Sequence, residues 1–145
     1  MQKQQFSIEI RAPRERVWNT LFENKSFRDW GSVIDEDGQY MVGELKEGNE
    51  VQFLSENGFG VTTLVEKLIP NEFISFRMIA NTIDSGKRER EKEWTGGEES
   101  FSLAEKDDVT ALTVHIDVPE EMQTMFQDRF PRALERVKVL AEKKG

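Results

Sequence analysis

Residues 120–143 read EEMQTMFQDRFPRALERVKVLAEK, and no other segment of the chain offers so long a helical pattern. Its apolar side chains recur at the spacing of three and four residues that places them on one helix face. They are Met122, Met125, Phe126, Phe130, Ala133, Leu134, Val137, Leu140 and Ala141. Acidic residues begin the segment and lysines end it, which suits the helix dipole. The sequence predicts one long amphipathic helix over Glu120–Lys143, in which Leu134 and Val137 are fully buried.

Pro131 interrupts this pattern and allows two interpretations. A proline removes one helical hydrogen bond and bends a helix away from its own side. A bend with Pro131 on the convex, solvent side would curl the apolar face onto a sheet. Alternatively the segment forms two helices, with Pro131 in the first turn of the second. The sequence leaves both interpretations open.

The rest of the chain is predicted to be mostly strands. Alternating apolar residues and turn signals indicate strands at Gln5–Arg11, Tyr40–Leu45, Glu50–Glu56, Phe59–Ile69, Glu72–Ala80, Trp94–Glu105 and Thr110–Val118. Two short helices are expected after the first strand, one beginning at Pro13 and one capped by Ser26. Asn57-Gly58 is the strongest hairpin signal. We therefore expect an α+β fold: a single domain over residues 1–145, with about six to seven antiparallel strands curved around the long helix.

Composition narrows the functional classes. The chain has 145 residues, no Cys and a formal charge of −8. This charge disfavours binding to nucleic acid and to anionic lipid. No apolar run approaches the roughly 18 residues of a membrane span, and no secretory signal is visible, so a cytoplasmic location is expected. We predict no cofactor and no metal site, because no cluster with metal-ligand spacing and no phosphate-binding loop occurs.

Several motifs together resemble a known superfamily. Ala12-Pro13 with Val17-Trp18, then Trp30, Glu47-Gly48, Pro70 and the closing segment Leu134–Lys138 occur in an order similar to that of the SRPBCC or START-like superfamily, the Bet v-type helix-grip fold. The branch that the chain resembles most is that of the activator of the heat-shock chaperone ATPase, the AHSA-type domain. Two features depart from the usual pattern: Phe130-Pro131 within the last helix, and a charged insertion at Asn81–Glu93.

The resemblance implies a cavity between the N-terminal half of the long helix and the curved sheet. Large side chains at the predicted inner positions would form its walls. These ligand-binding candidates are Trp30, Phe53, Phe76, Met78, Phe101, Met122, Met125, Phe126 and Phe130. The alternative is that the same residues are ordinary core, since Met is a common filler of apolar interiors. Arg77 or Tyr40 would supply a polar anchor.

The remaining histidine and charged residues do not indicate a catalytic site. His115 is the only histidine, and its position in the last strand points it away from the helix-covered face. The mixed-charge run Lys87–Glu93 is typical of a solvated surface, or alternatively of a flap or partner contact. Low apolar content predicts that Asp84–Glu93 is less ordered than the neighbouring strands. No acid–base pair can be assigned to the inner face.

Three functions remain. The first is non-catalytic binding of a small hydrophobic ligand, which needs a cavity with apolar walls and few polar anchors. The second is a chaperone-partner domain, as the branch name implies. Chaperone activators of that family carry an additional N-terminal domain, which we do not expect here, so the name does not establish the activity. The third is an enzyme similar to the polyketide cyclases of the superfamily, which hold substrates with polar groups inside the cavity. We expect the first.

Overall fold

The computed structural model describes residues 1–89 and 96–143 of the chain. Within them an antiparallel sheet curls around the C-terminal helix, and two short helices follow the first strand. The strands are β1 (Gln2–Ile10), β2 (Gln39–Val42), β3 (Glu50–Ser55), β4 (Gly60–Ile69), β5 (Phe73–Ile83), β6 (Arg88–Glu89), β7 (Glu98–Lys106) and β8 (Val109–Val118). The helices are α1 (Arg14–Phe22), α2 (Asn24–Gly31) and α3 (Gln123–Glu142), and a single 3-10 turn, Glu120–Met122, precedes α3. The predicted fold class is confirmed.

The sheet is an antiparallel meander from β2 to β8, and β1 is added at its edge beside β8. Its order is β1-β8-β7-β5-β4-β3-β2, and the short β6 pairs with the end of β5. The first strand thus pairs with the last, from Gln2 opposite Val118 to Ile10 opposite Thr110. The pairing of β4 with β5 shifts register between Thr62 and Thr63 and again between Val65 and Lys67. Such irregularities increase twist and bend a strand, which helps the sheet to close around α3.

The long helix is held by its apolar face. Leu134 and Val137 are fully buried, as the helical spacing predicted. The ring of Phe130 stacks on that of Phe6 in β1, with 4.9 Å between centroids. The interpretation as two helices is wrong, because α3 runs without interruption from Gln123 to Glu142 with Pro131 inside it. Pro131 is exposed, so the hydrogen bond that it cannot donate lies on the side of the helix facing water.

The two short helices follow each other almost directly. Only Glu23, in an extended conformation, separates α1 from α2. The prediction that Ser26 caps the second helix is wrong, because the helix begins at Asn24. The Ser26 hydroxyl lies inside the first turn and donates to the Glu23 carbonyl oxygen. Because only one residue separates the two helices, position 26 already lies within the second helix and cannot be its cap.

The predicted insertion begins later than expected. Asn81 and Thr82 are buried in β5, where they pair with Val61 and Gly60 of β4. The strand therefore continues to Ile83, because β4 pairs with it as far as Thr82 and β6 pairs with Thr82 and Ile83. Residues 84–87 then form a turn to β6. The rest of the predicted insertion from residue 90, and Trp94 of the predicted strand, lie outside the described residues, so the expectation of lower order there stays a prediction.

Candidate ligand cavity

A cavity of about 350 Å³ lies between α3, α2 and the concave face of the sheet. This volume falls within the range of about 300–1000 Å³ that is usual for small-molecule sites. Most of its wall is apolar and aromatic. The apolar lining consists of Phe22, Phe27, Trp30, Ile34, Phe53, Leu54, Phe59, Val61, Met78, Phe101, Ile116, Met122, Met125, Phe126 and Phe130.

Eight of the nine ligand-binding candidates line this cavity. They are Trp30, Phe53, Met78, Phe101, Met122, Met125, Phe126 and Phe130. Phe76 does not line it, although strand alternation places it on the inner face. Its ring is fully buried and in contact with Phe53, at 5.1 Å between centroids, and with Phe22 and Phe101. Phe76 is therefore core behind the wall, since side chains from α1 and neighbouring strands cover it.

The two halves of the C-terminal helix differ as the resemblance implied. Met122 and Met125 are half-buried and line the cavity together with Phe126 and Phe130. Ala133 in the second half is completely buried, and so is Ala141. Small side chains there allow the helix backbone to approach the sheet closely. The large side chains therefore lie on the half of the helix that borders the cavity, and the small buried ones lie on the other half.

Helix α2 provides one wall, and two side chains hold its last turn in place. The Asp29 carboxylate accepts two hydrogen bonds from Arg136 of α3, at 2.6 and 2.9 Å. This hydrogen-bonded pair lowers the pKa of Asp29 below its ordinary value. The Trp30 indole Nε1 donates to the Leu21 carbonyl oxygen at 3.2 Å, which fixes the ring. Phe27 then packs edge-on against Trp30 at 5.3 Å.

Besides Glu99 of β7, the polar residues of the cavity come from the loop after α2, from β2, from the end of β3 with its hairpin and from α3. They are Asp35, Gln39, Ser55, Asn57 and Arg129. Phe59 lies beside them and is 50% exposed although it lines the cavity. The Arg129 guanidinium donates to the Ile34 carbonyl oxygen at 2.7 Å and lies 3.8 Å from the Glu36 carboxylate. Arg129 therefore connects the long helix to the loop after α2 at the rim.

The β3–β4 hairpin forms part of the cavity wall, and at Gly60 the backbone of β4 lies very close to that of β3. A Cβ added to Gly60 would overlap the Phe53 carbonyl oxygen and the side chain of Leu54. Only glycine can occupy this position without moving β3. The sequence signal Asn57-Gly58 correctly predicts the hairpin, although only Gly58 has a positive φ, of 91°.

Glu99 is the functional candidate that sequence reasoning missed. It lines the cavity from β7, opposite Phe76 of β5 and Ile116 of β8. Its environment is desolvated, and this burial raises its pKa from the ordinary value of 4.5 to about 7. The signal was present in the sequence. Glu99 has the same alternation as Phe101 and Leu103, so an inward-facing strand position carries a carboxyl group.

The two polar anchors proposed from sequence lie elsewhere. Arg77 points away from the cavity and pairs with Glu98 at 2.9 Å and Glu66 at 3.1 Å. Tyr40 lies outside the cavity wall, and its ring lies 5.0 Å from the Arg28 guanidinium carbon. Strand alternation explains the first error, because Arg77 stands between the inward-facing Phe76 and Met78. His115 is in hydrogen-bond contact with Gln5 at an exposed position, as its parity predicted.

The fold and the cavity together define a helix-grip domain of the SRPBCC type. The family model described as Activator of Hsp90 ATPase homolog 1-like protein matches residues 11–142, and the chain belongs to that family. No curated protein matches the sequence.

Solved structures share the fold at low sequence identity. The Aha1 dimer from Colwellia psychrerythraea is 22% identical over the full length of both chains, with a TM-score of 0.71. NE0264 from Nitrosomonas europaea is 11% identical, with a TM-score of 0.74 over 99% of this chain and 96% of that one. CalU16 from Micromonospora echinospora is 16% identical, with a TM-score of 0.67 over 98% of this chain and 77% of that one. At these identities the likeness shows the fold alone.

No helix within residues 1–89 and 96–143 combines the length and apolar character needed to cross a bilayer. In the same part of the chain, no three His, Asp or Glu side chains are placed to hold a metal ion together.

Proposed function

We propose that this protein binds a small, largely apolar molecule in the cavity between α3 and the curved sheet. The observation that carries the proposal is an open cavity of about 350 Å³ with predominantly apolar walls. A well-packed core has few voids larger than a water molecule. Apolar walls with a few polar groups at one opening are the usual form of a small-molecule site.

The side chains that line the cavity suit a ligand of variable shape. Met78, Met122 and Met125 are flexible thioethers that adapt to different outlines. The aromatic rings around them offer flat apolar surface. We assign the ligand contacts to the eight candidates that line the wall, and we leave Phe76 out because its ring is covered.

Two substitutions on α3 test this proposal. Phe126→Trp adds volume where there is free space, so we expect little loss of stability and weaker ligand binding. Ala133→Phe is the matched control on the same helix, because Ala133 is completely buried. Overpacking there is expected to cost about 1–3 kcal/mol or more.

The assay combines thermal unfolding with titration of prodan, a neutral naphthalene dye whose emission reports an apolar environment. Saturable prodan binding by the wild type, weakened by Phe126→Trp, would support the proposal. Absence of prodan binding, together with equal destabilisation by both variants, would show that this part of α3 is ordinary core.

A second candidate is favoured by the family match alone. The family is described by its likeness to an activator of the Hsp90 ATPase. This function would be a protein contact rather than a cavity site. Measuring Hsp90 ATPase turnover with and without the protein tests it, and unchanged turnover at saturating protein would contradict it.

A further inference from the structure

The carboxyl group of Glu99 is the one acidic group on the sheet wall of the described cavity. It lies on the central strands, between Phe76 and Ile116 across the sheet, and Met78, Phe101 and Ile116 line the cavity with it. A carboxyl group in such a wall is costly to ionise unless something pairs with it. Natural sequences tolerate such conflicts mainly where function requires them.

No described residue provides a pairing charge. Burial raises the pKa of Glu99, and no basic side chain of residues 1–89 and 96–143 forms an ion pair with its carboxyl group. The other titratable groups that line the cavity are Asp35 and Arg129. Arg129 is held at the rim by the Ile34 carbonyl oxygen and by Glu36.

The charged groups on the packed strands face the other side of the sheet. Glu98 pairs with Arg77, and Lys3 pairs with Asp117 at 3.3 Å. The titratable groups that face outward from β4, β5, β7 and β8 around this point are Glu66, Arg77, Glu98, His115 and Asp117. Among the described residues, the Glu99 carboxyl group therefore borders the cavity without a charged partner.

The surrounding aromatic rings favour a cation in that position. Seven aromatic residues besides Phe59 line the cavity: Phe22, Phe27, Trp30, Phe53, Phe101, Phe126 and Phe130. Ring faces carry negative electrostatic potential and attract ammonium groups, most strongly where water is excluded. An anionic ligand group would add a second negative charge beside Glu99. The formal charge of −8 on the chain also raises the local concentration of cations.

We propose that the cavity selects a hydrophobic amine, whose protonated nitrogen pairs with the Glu99 carboxylate while its apolar body lies against the aromatic wall. This inference rests on the proposed function, because it names the class of ligand for the same cavity. It predicts selectivity among ligands of equal size, which apolar burial alone does not provide.

The test compares three probes that share one ring system. Naphthylmethylamine is a cation, naphthylmethanol is its neutral analogue and naphthoate is an anion. Binding of each is measured by calorimetry and by displacement of prodan at about pH 8, where Glu99 is mostly ionised. A hydrogen bond between charged groups should make the amine bind about ten- to a hundredfold tighter than the alcohol.

The variants assign this preference to one residue. Glu99→Gln keeps the shape of the side chain and removes the charge, so the preference for the amine should disappear while the alcohol binds as before. Glu98→Gln is the matched control, since Glu98 is the adjacent glutamate on the opposite face and pairs with Arg77. It should leave all three affinities unchanged. Melting temperatures of both variants verify that they are folded.

The pH dependence supplies an independent measurement. Lowering the pH from about 8 to about 6 protonates Glu99, and a proton then competes with the amine. We expect the affinity for the amine to fall about tenfold and the affinity for the alcohol to stay constant or rise. Equal affinity for amine and alcohol, or a preference that survives in Glu99→Gln, would overturn the inference while prodan binding kept the cavity proposal intact. If neither prodan nor any of the three probes binds, both proposals fail.

Discussion

Replacing Glu99 by Gln should stabilise the protein at neutral and higher pH, although most substitutions at inner positions destabilise. The carboxyl group of Glu99 is half-buried in the cavity wall, and burial raises its pKa from 4.5 to about 7. The unfolded chain releases this proton near the ordinary value, whereas the folded protein retains it to about pH 7. The folded state therefore binds the extra proton between these two values, and its stability falls as the pH rises through this interval.

The size of the effect follows from the distance between the two pKa values. One pH unit corresponds to about 1.4 kcal/mol, so the ionised carboxylate lowers the free energy of unfolding by about 3–3.5 kcal/mol above pH 7. Glutamine resembles the protonated acid in size and hydrogen-bonding ability, and it does not ionise. Glu99→Gln should thus nearly match the wild type at about pH 4.5 and exceed its stability by about 3–3.5 kcal/mol at about pH 8.

Urea unfolding at several pH values measures this difference directly. Subtracting wild-type from variant stability removes the contribution of every group common to both proteins. Glu98→Gln serves as the control, because it loses a partly exposed ion pair with Arg77 and should destabilise by less than about 1 kcal/mol. A Glu99→Gln variant whose advantage does not grow between pH 4.5 and 8, or which is less stable throughout, would refute the assignment of Glu99 to a desolvated, unpaired position.

Two further substitutions test the packing around the cavity. Leu134→Ala should lower the free energy of unfolding by about 2–5 kcal/mol, because Leu134 is fully buried between α3 and the sheet; a change near zero in denaturant unfolding would contradict this packing. Asp29→Asn should lower stability at neutral pH by about 1 kcal/mol or less, since the pair with Arg136 is partly exposed. The pKa of Asp29 is lowered, so its contribution is present above the ordinary carboxyl range and should vanish as the pH falls below it. Asp128→Asn, which removes an exposed pair with Arg132, is the control, and an equal loss in both variants would argue against a specific role for the α2–α3 contact.

The fold could be predicted because its patterns are long and locally consistent. The apolar positions of α3 repeat over five turns, and the alternation in β8 covers ten residues. Predictions failed where the outcome depended on a neighbour in space. β5 continues past Ala80 because β4 pairs with Asn81 and Thr82, and Phe76 is covered because α1 supplies Phe22. Neither neighbour can be recognised from the local sequence alone.

The site could be predicted in its apolar part but not in its polar part. Large apolar residues on inner faces had to meet somewhere, and eight of the nine candidates line one cavity. Arg77 and Tyr40 were predicted to anchor a ligand, because both have long side chains with a polar end. Arg77 lies on the outward parity of β5, where it pairs with Glu98 and Glu66. Counting parity through β7 instead would have singled out Glu99, since it alternates with the inward-facing Phe101.

The departures from ordinary packing in this domain converge on one place. Large side chains on the first half of α3 leave space instead of filling it, and the central strand β7 carries a carboxyl group where an apolar residue would stabilise the sheet. Each feature alone would lower stability: the space through lost contacts, and the carboxylate through lost hydration. A domain selected only for stability would be expected to fill the space and replace Glu99. With the apolar cation that we propose in the cavity, both features would become favourable together, because its body would restore the contacts and its nitrogen would pair with the carboxylate. This coincidence is why we assign the cavity and Glu99 to a single binding site.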